Sequence, residues 1–265
     1  MTGGSATDRA FSQSDLTHDA FLGGLLHLWQ PRSGYRAGVD PVLLAASVDA
    51  QPGQRVLELG CGAGAAILCL GARVPGLRLT GVELQPAYAD LARRNGAQAG
   101  LEVVTADLTD LPPDLRQRQF DHVIANPPYF DRSASRASGN ARREPSLGES
   151  VPLSQWVRVA GKRLAPKGYA HFIHRAERLP ELMRALADDM GSIEVLPLAP
   201  RVGRRAELII LRARKSGRAA FRLYAPLVMH EGPRHLRDGD SYVPAIRAVL
   251  RDGAGLKFQA ALSRH

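Results

Sequence analysis

The residues best suited to chemistry stand in the stretch VIANPPYF, residues 123–130. Three strand-forming residues run into Asn126, then Pro127, Pro128, Tyr129 and Phe130 follow. Proline has no N–H and a fixed φ, so a strand must stop there. The result is a polar amide at a strand end, a stiff turn and a ring. Read alone, it is either a stiffened loop or a site.

A second constellation lies upstream. VLELGCGAG (56–64) places Gly60, Gly62 and Gly64 after a strand and before a helix. Glycines there permit a tight turn and let backbone approach a ligand. By themselves they also suit a plain strand–helix connection. Glu83 ends the next strand, 23 positions after Gly60. A carboxylate at that place accepts hydrogen bonds from both hydroxyls of a ribose. Asp107 ends a third strand, where an acceptor meets an adenine amino group. Three successive strand ends thus suit an adenosine-containing ligand. NAD is not favoured, because the G-x-G-x-x-G spacing needs glycine at 65, where Ala65 stands.

The elements that must position these groups alternate. RVLELG (55–60), LRLTGVEL (77–84), LEVVTAD (101–107), FDHVIAN (120–126) and GYAHFIHR (168–175) read as strands. The segments 65–74, 86–100 and 153–166 have helical spacing. Pro86 suits a first helical turn and Gly100 a C-terminal stop. Such repetition implies a parallel sheet with helices on both faces. SIEVLPL (192–198) and AELIILRAR (206–214) are joined too closely for a crossover helix, so this pair is expected to be antiparallel. Asp40-Pro41 opens an apolar helix at 41–48, with Asp40 as the N-cap. A short strand at 223–229 and a helix at 243–251 are expected near the end.

These residues resemble the class I S-adenosylmethionine-dependent methyltransferases. VLELGCGAG is similar to their first motif, VEL to their ribose-binding acid, and NPPY to their catalytic motif for amino groups. The resemblance implies a Rossmann-like α/β fold with a mostly parallel seven-stranded sheet carrying one antiparallel strand. It implies S-adenosyl-L-methionine as cofactor, held by Gly60, Cys61, Gly62, Gly64, Glu83, Leu84, Asp107, Leu108 and Asn126. It makes Asn126, Pro127, Pro128 and Tyr129 the catalytic set. An exocyclic amine is a poor nucleophile because its lone pair is delocalised. The Asn126 side-chain oxygen and the Pro127 carbonyl would accept its two N–H bonds, and Tyr129 would stack the base, where Phe is expected to serve nearly as well. A sulfonium methyl is already activated, so positioning and electrostatics suffice, and no metal is expected.

QPRSGYRAGVDPVLLAA (30–46) narrows the resemblance to the bacterial tRNA(Val) adenine-37 N6-methyltransferases, through Gln30, Gly34, Tyr35, Arg36 and Asp40. That resemblance implies N6-methylation of an adenine in RNA, most directly tRNA. It also implies that segment 21–50 closes over the cofactor, with Tyr35 in contact and Arg36 meeting the methionine carboxylate. Plain packing and capping by Tyr35 and Arg36 is the competing reading. A protein glutamine-amide or DNA adenine methyltransferase on the same fold is the alternative function.

The expected organisation is a flexible tail at 1–20, the closing segment at 21–50, the methyltransferase domain at 51–215 and a C-terminal extension at 216–265 packed on it. Hydrophobic residues make up 45% of the chain, ordinary for a globular protein. Cys61 and Cys69 are too few for a disulfide framework, which suits the cytoplasm. No signal peptide or membrane span is expected. The oligomeric state is not set by the sequence, and a monomer is the simpler expectation. The net charge of +9 favours polyanionic partners. Arg132, Arg136, Arg142 and Arg143 lie in a stretch, 132–143, without an acidic residue. Residues 201–222 carry eight basic residues against Glu207 alone, with Arg201, Arg204 and Arg205 in one turn. Both clusters are either RNA-binding or a solvated face.

Overall fold

The structure, a computed structural model, describes residues 10–129, 151–186, 190–232 and 241–258. Its centre is one twisted sheet. The strands are β3 (Arg55–Leu59), β4 (Arg78–Glu83), β5 (Glu102–Thr105), β6 (Phe120–Ala125), β7 (Leu164–Arg175), β8 (Met190–Ala199) and β9 (Leu208–Lys215). They lie in the order β5-β4-β3-β6-β7-β9-β8. All run parallel except β9, which is antiparallel to β7 and to β8. The expected seven strands with one antiparallel member are therefore present. Two strands of two residues each, β10 (Arg222–Leu223) and β11 (Leu227–Val228), add to the outer side of β8. They stand where one short strand was expected.

Alternation along the strands sends neighbours into two separate cores. Val56, Ile124, Ile173 and Ile210 enter one, packed by α1 (Asp40–Ala46), α2 (Ala65–Arg73) and α7 (Pro244–Asp252). Leu57, Val123, Phe172 and Leu211 enter the other, packed by α5 (Leu153–Arg163) and α6 (Leu179–Leu186), with Leu115 of the short α4 (Pro113–Gln117). Helix α3 (Pro86–Gly96) lies beside β5, and Pro86 occupies its first turn as expected. Gly100 closes the following 3-10 turn at φ 66°.

The expected loose tail at 1–20 is corrected in its second half, while residues 1–9 lie outside the described residues. Residues 16–20 belong to β1 (Leu16–Phe21), which forms a hairpin with β2 (Leu26–Pro31). Leu16 and Leu28 are buried, and Asn95 of α3 clips β2 in place by bonding the Trp29 N–H and carbonyl. This hairpin is the support from which residues 32–40 cross the ends of β3 and β6. Two further readings change. Asp40 lies inside the first turn of α1 and its side chain makes no cap bond. Asp107 lies two residues past the end of β5, in a loop.

Candidate active site

The carboxyl ends of β3, β4, β5 and β6 open into one cavity of about 560 Å³. Its floor is the turn after β3. Gly60 and Gly62 have φ of 64° and 54°, which a side chain resists. A Cβ on Gly60 would also stand 2.6 Å from the Trp156 ring, so the turn passes where only glycine fits.

Glu83 holds this turn from the next strand. It is 6% exposed; Oε2 accepts the Gly62 N–H at 2.8 Å and Oε1 the Gln85 N–H at 2.9 Å. Burial raises its pKa against the pull of these bonds. Glu58, which sequence reasoning passed over, is buried beneath the same cavity and accepts the Ile67 N–H at 3.0 Å. Burial raises its pKa too, with the Glu83 charge adding to it. Two poorly solvated carboxylates thus sit under the cavity, so hydroxyl or cationic groups are the natural complement there.

Asp107 and Leu108 form the wall beyond β5, where Asp107 Oδ1 accepts the Thr109 N–H and hydroxyl. Tyr35, Arg36, Gly60, Cys61, Gly62, Glu83 and Leu84 all line the cavity, as do Asn126, Pro127, Pro128 and Tyr129. Gly64 does not. It lies behind, at φ 87°, and starts α2. Arg36 reaches the wall, but its guanidinium donates to Asp19 at 2.7 Å, Thr17 at 2.8 Å and the Pro31 carbonyl at 2.8 Å. It is tied to the hairpin by these bonds, and the expected carboxylate contact would draw on its remaining donors.

The side of the cavity beyond β6 is built by the NPPY turn. Asn126 follows β6, and its Oδ1 is buried without a hydrogen-bond partner among the described residues. Its Nδ2 faces the Tyr35 hydroxyl at 3.5 Å. The two acceptor sites of a buried amide oxygen are seldom left empty, and Asn126 is among the residues lining the cavity. Tyr129 donates its hydroxyl to Asp40 Oδ2 at 2.5 Å. Burial and the Asp40 charge raise its pKa, so it stays a phenol. Sequence reasoning missed this use of Asp40. The signal was Asp40-Pro41 itself, which it assigned to helix capping.

The basic clusters fare differently. Arg132, Arg136, Arg142 and Arg143 lie outside the described residues. Arg201 is buried at 7% exposure and bonds the Glu231 and Gly232 carbonyls, which removes it as a surface cation. Arg204 and Arg205 are exposed in the β8–β9 turn. Arg175, not singled out before, is exposed at the end of β7 with its guanidinium 5.7 Å from the Tyr129 ring centre. Among the described residues, no cluster of His, Cys, Asp and Glu has metal-site geometry, and no helix is long and apolar enough to cross a membrane.

Known proteins share sequence and fold with this chain. Residues 56–143 match the family model described as a methyltransferase domain. The chain is 31% identical over 178 residues to a tRNA1(Val) (adenine(37)-N6)-methyltransferase of Porphyromonas gingivalis, covering 61% of this chain and 69% of that one. A Haemophilus influenzae protein of the same name is 26% identical over 70% of this chain and 80% of its own length. Among solved structures, a predicted O-methyltransferase from Agrobacterium tumefaciens superposes with a TM-score of 0.67. It is 28% identical, covering 82% of this chain and 98% of that one.

Proposed function

The chain belongs to the tRNA1(Val) (adenine(37)-N6)-methyltransferase family, and from that premise we propose that it methylates the N6 amine of an adenine in tRNA. It is an S-adenosylmethionine-dependent methyltransferase with a nucleic-acid substrate. The residues present fit that cofactor. Glu83 offers outward lone pairs for the ribose hydroxyls, Asp107 and Leu108 border the adenine region, and the Gly60–Gly62 turn admits close approach of the remainder. When bound, the cofactor supplies a methyl group on a sulfonium, already activated for transfer.

The chain's own residues then have one task, which is to present the amine. Asn126 Oδ1 and the Pro127 carbonyl accept its two N–H bonds. This orients the nitrogen and favours its pyramidal form, so the lone pair becomes available. Tyr129 stacks the base while its hydroxyl stays on Asp40. Tyr35 and Tyr88 both line the cavity, with the Tyr88 hydroxyl donating to the Tyr35 carbonyl at 3.1 Å. The proton leaves after transfer, so no strong base is needed. The observation that carries this reading is Asn126 in the cavity lining, with its Oδ1 without a hydrogen-bond partner among the described residues.

RNA must also be gripped by its backbone. Strand β8 runs parallel to β6, so Arg204 and Arg205 lie at the same sheet edge as the NPPY turn. Three strand spacings separate them, about 14 Å. Arg175 lies between. Arginine suits phosphate through its planar donor fork, and phosphate contacts offset the few kcal/mol needed to extrude a base. Arg132, Arg136, Arg142 and Arg143 follow the turn in sequence, outside the described residues, and the same reading assigns them to phosphate. A tRNA substrate suits the expected cytoplasmic location.

The test is incubation with methyl-labelled S-adenosylmethionine and separate pools of tRNA, rRNA, DNA and protein, followed by nucleoside and amino-acid analysis. N6-methyladenosine from the tRNA pool is expected. Label confined to glutamine amide or to DNA adenine would replace this acceptor with the corresponding alternative.

A further inference from the structure

The β1–β2 hairpin has two unlike faces. One turns Phe21, Leu26 and Leu28 into the core that α1 and α2 cover. The other carries His18, His27 and Trp29, whose rings form a ladder. The register sets His18 directly opposite Trp29. Their rings stack with centroids 4.3 Å apart and planes at 21°. His27 follows, 5.3 Å from His18 at 37°. From α3, the Arg94 guanidinium lies 4.2 Å from the Trp29 ring centre. Both histidines and Arg94 are exposed, and Trp29 is half-buried.

Folding alone explains the inner part of this ladder. Cross-strand ring pairs stabilise a hairpin, and Trp29 packs on the small cluster of Leu16, Tyr88 and Leu91. The outer part has no such use. Opposite His27 stands Ala20, itself exposed, so the ladder ends in a gap bordered by two imidazole rings. Arg94 bonds neutral Gln13 at 2.7 Å and makes no ion pair among the described residues, so its charge is uncompensated. Asp19, the one acid between residues 16 and 31, lies on the opposite face and is paired with Arg36. Open ring faces beside an unpaired cation suit an unpaired nucleotide. Its base stacks on the rings whatever its identity, and its phosphate takes the guanidinium.

The place suits such a contact. Trp29 precedes Tyr35 by six residues, which span at most about 21 Å, and Tyr35 lines the cavity. Tyr88, in the cluster under Trp29, lines it as well. We propose that the outer face of the hairpin, His18 and His27 with Arg94, is a second contact for the RNA substrate, stacking an unpaired nucleotide near the one whose base enters the cavity. This rests on the reading above in which RNA is the substrate. The face touches neither the acceptor amine nor the cofactor, so it acts on RNA affinity and not on the transfer step.

The test compares wild type with His18→Ala/His27→Ala, His18→Phe/His27→Phe and Arg94→Ala. Unfractionated tRNA is the probe, in binding titrations without cofactor and in steady-state methylation. The Ala pair is expected to weaken tRNA binding and raise the apparent KM about tenfold. Its kcat at saturating tRNA and its S-adenosylmethionine affinity should be unchanged. The Phe pair keeps ring faces and should stay near wild type. Arg94→Ala should flatten the plot of log affinity against log salt by about 0.7–0.9. Wild-type tRNA affinity in the Ala pair, or an unchanged salt slope in Arg94→Ala, would overturn the proposal. So would an equal loss in the Ala and Phe pairs, or a lowered melting temperature in the Ala pair with tRNA binding intact, which would leave the ladder as hairpin packing. If the Ala pair loses tRNA binding while wild type methylates no RNA adenine, the acceptor reading fails and the surface stands. If wild type binds no tRNA, both fall.

Discussion

Glu83→Ala is expected to weaken S-adenosylmethionine binding about 30- to 150-fold and to lower the melting temperature as well. The carboxylate is nearly buried, and each oxygen already accepts one backbone N–H, from Gly62 and Gln85. One lone pair on each oxygen remains for a ribose hydroxyl. Charge-assisted hydrogen bonds contribute roughly 1.5–3 kcal/mol each, but desolvation works against this carboxylate, as its raised pKa shows. A total of about 2–3 kcal/mol for the pair gives the stated range. The two N–H groups left behind face a cavity that water enters, so their loss costs about 0.5–1 kcal/mol each. For a chain of this size that is a drop of about 2–8 °C. The fold would thus be weakened by the substitution, contrary to a purely ligand-facing role. Glu83→Gln keeps an acceptor oxygen without the charge and should lose about tenfold in affinity. Titration calorimetry and thermal melts on the three proteins provide the check. Wild-type affinity in the Ala variant would refute the ribose assignment, and an unchanged melt would refute the turn-holding role.

Tyr129→Phe should lower turnover about 5- to 30-fold while sparing cofactor binding, since it removes a bond of about 1–2 kcal/mol to Asp40; equal turnover in steady-state assays would show that the ring alone matters. Acid should destabilise the protein through His122, His171 and His174. Their ordinary pKa is near 6.5, while burial lowers His122 and His174 to about 4 and pushes His171 well below its usual value. Between pH 6.5 and 4 the unfolded chain therefore binds more protons, so their contribution is complete above 6.5 and is lost as pH falls through that window. Glu58 and Glu83, raised by burial, contribute in the opposite sense, losing stability as pH rises. A difference is thus the proper readout: His174→Gln should flatten the pH dependence of unfolding by up to about 1.4 kcal/mol per pH unit, and identical slopes in denaturant titrations would contradict a neutral buried ring. Replacing Arg175, Arg204 and Arg205 by Ala should flatten the plot of log affinity for tRNA against log salt by about two to three. An unchanged slope in binding titrations would leave these arginines as a solvated face.

The alternation of apolar strands and helices made the doubly covered sheet legible, because a parallel strand buried on both faces needs a run such as RVLELG or DHVIA. The short link between β8 and β9 made their antiparallel pairing legible for a geometric reason. The β1–β2 hairpin escaped notice because its strands mix His, Thr and Asp with leucines and are stabilised by Asn95, a residue 66 positions from Trp29. Glycine and acid at successive strand ends could be read because their spacing follows the fold. The partners of those residues could not. That Arg36 turns to Asp19, that Asp40 takes the Tyr129 hydroxyl and that Arg201 is buried on two carbonyls are tertiary facts. In each case one charged side chain had several competent partners, and only packing chose among them.

The most direct test of the central claim is methyl transfer to tRNA by Asn126→Ala, measured in a single turnover at saturating S-adenosylmethionine. The buried Oδ1 is proposed to meet the acceptor amine and not the cofactor. Removing a preorganised polar contact of this kind is expected to cost about 100- to 1000-fold in the transfer rate. Cofactor affinity by calorimetry should stay within about threefold of wild type. Near-normal transfer by the variant would contradict presentation of the amine by Asn126. So would a loss of activity that follows a matching loss of cofactor binding.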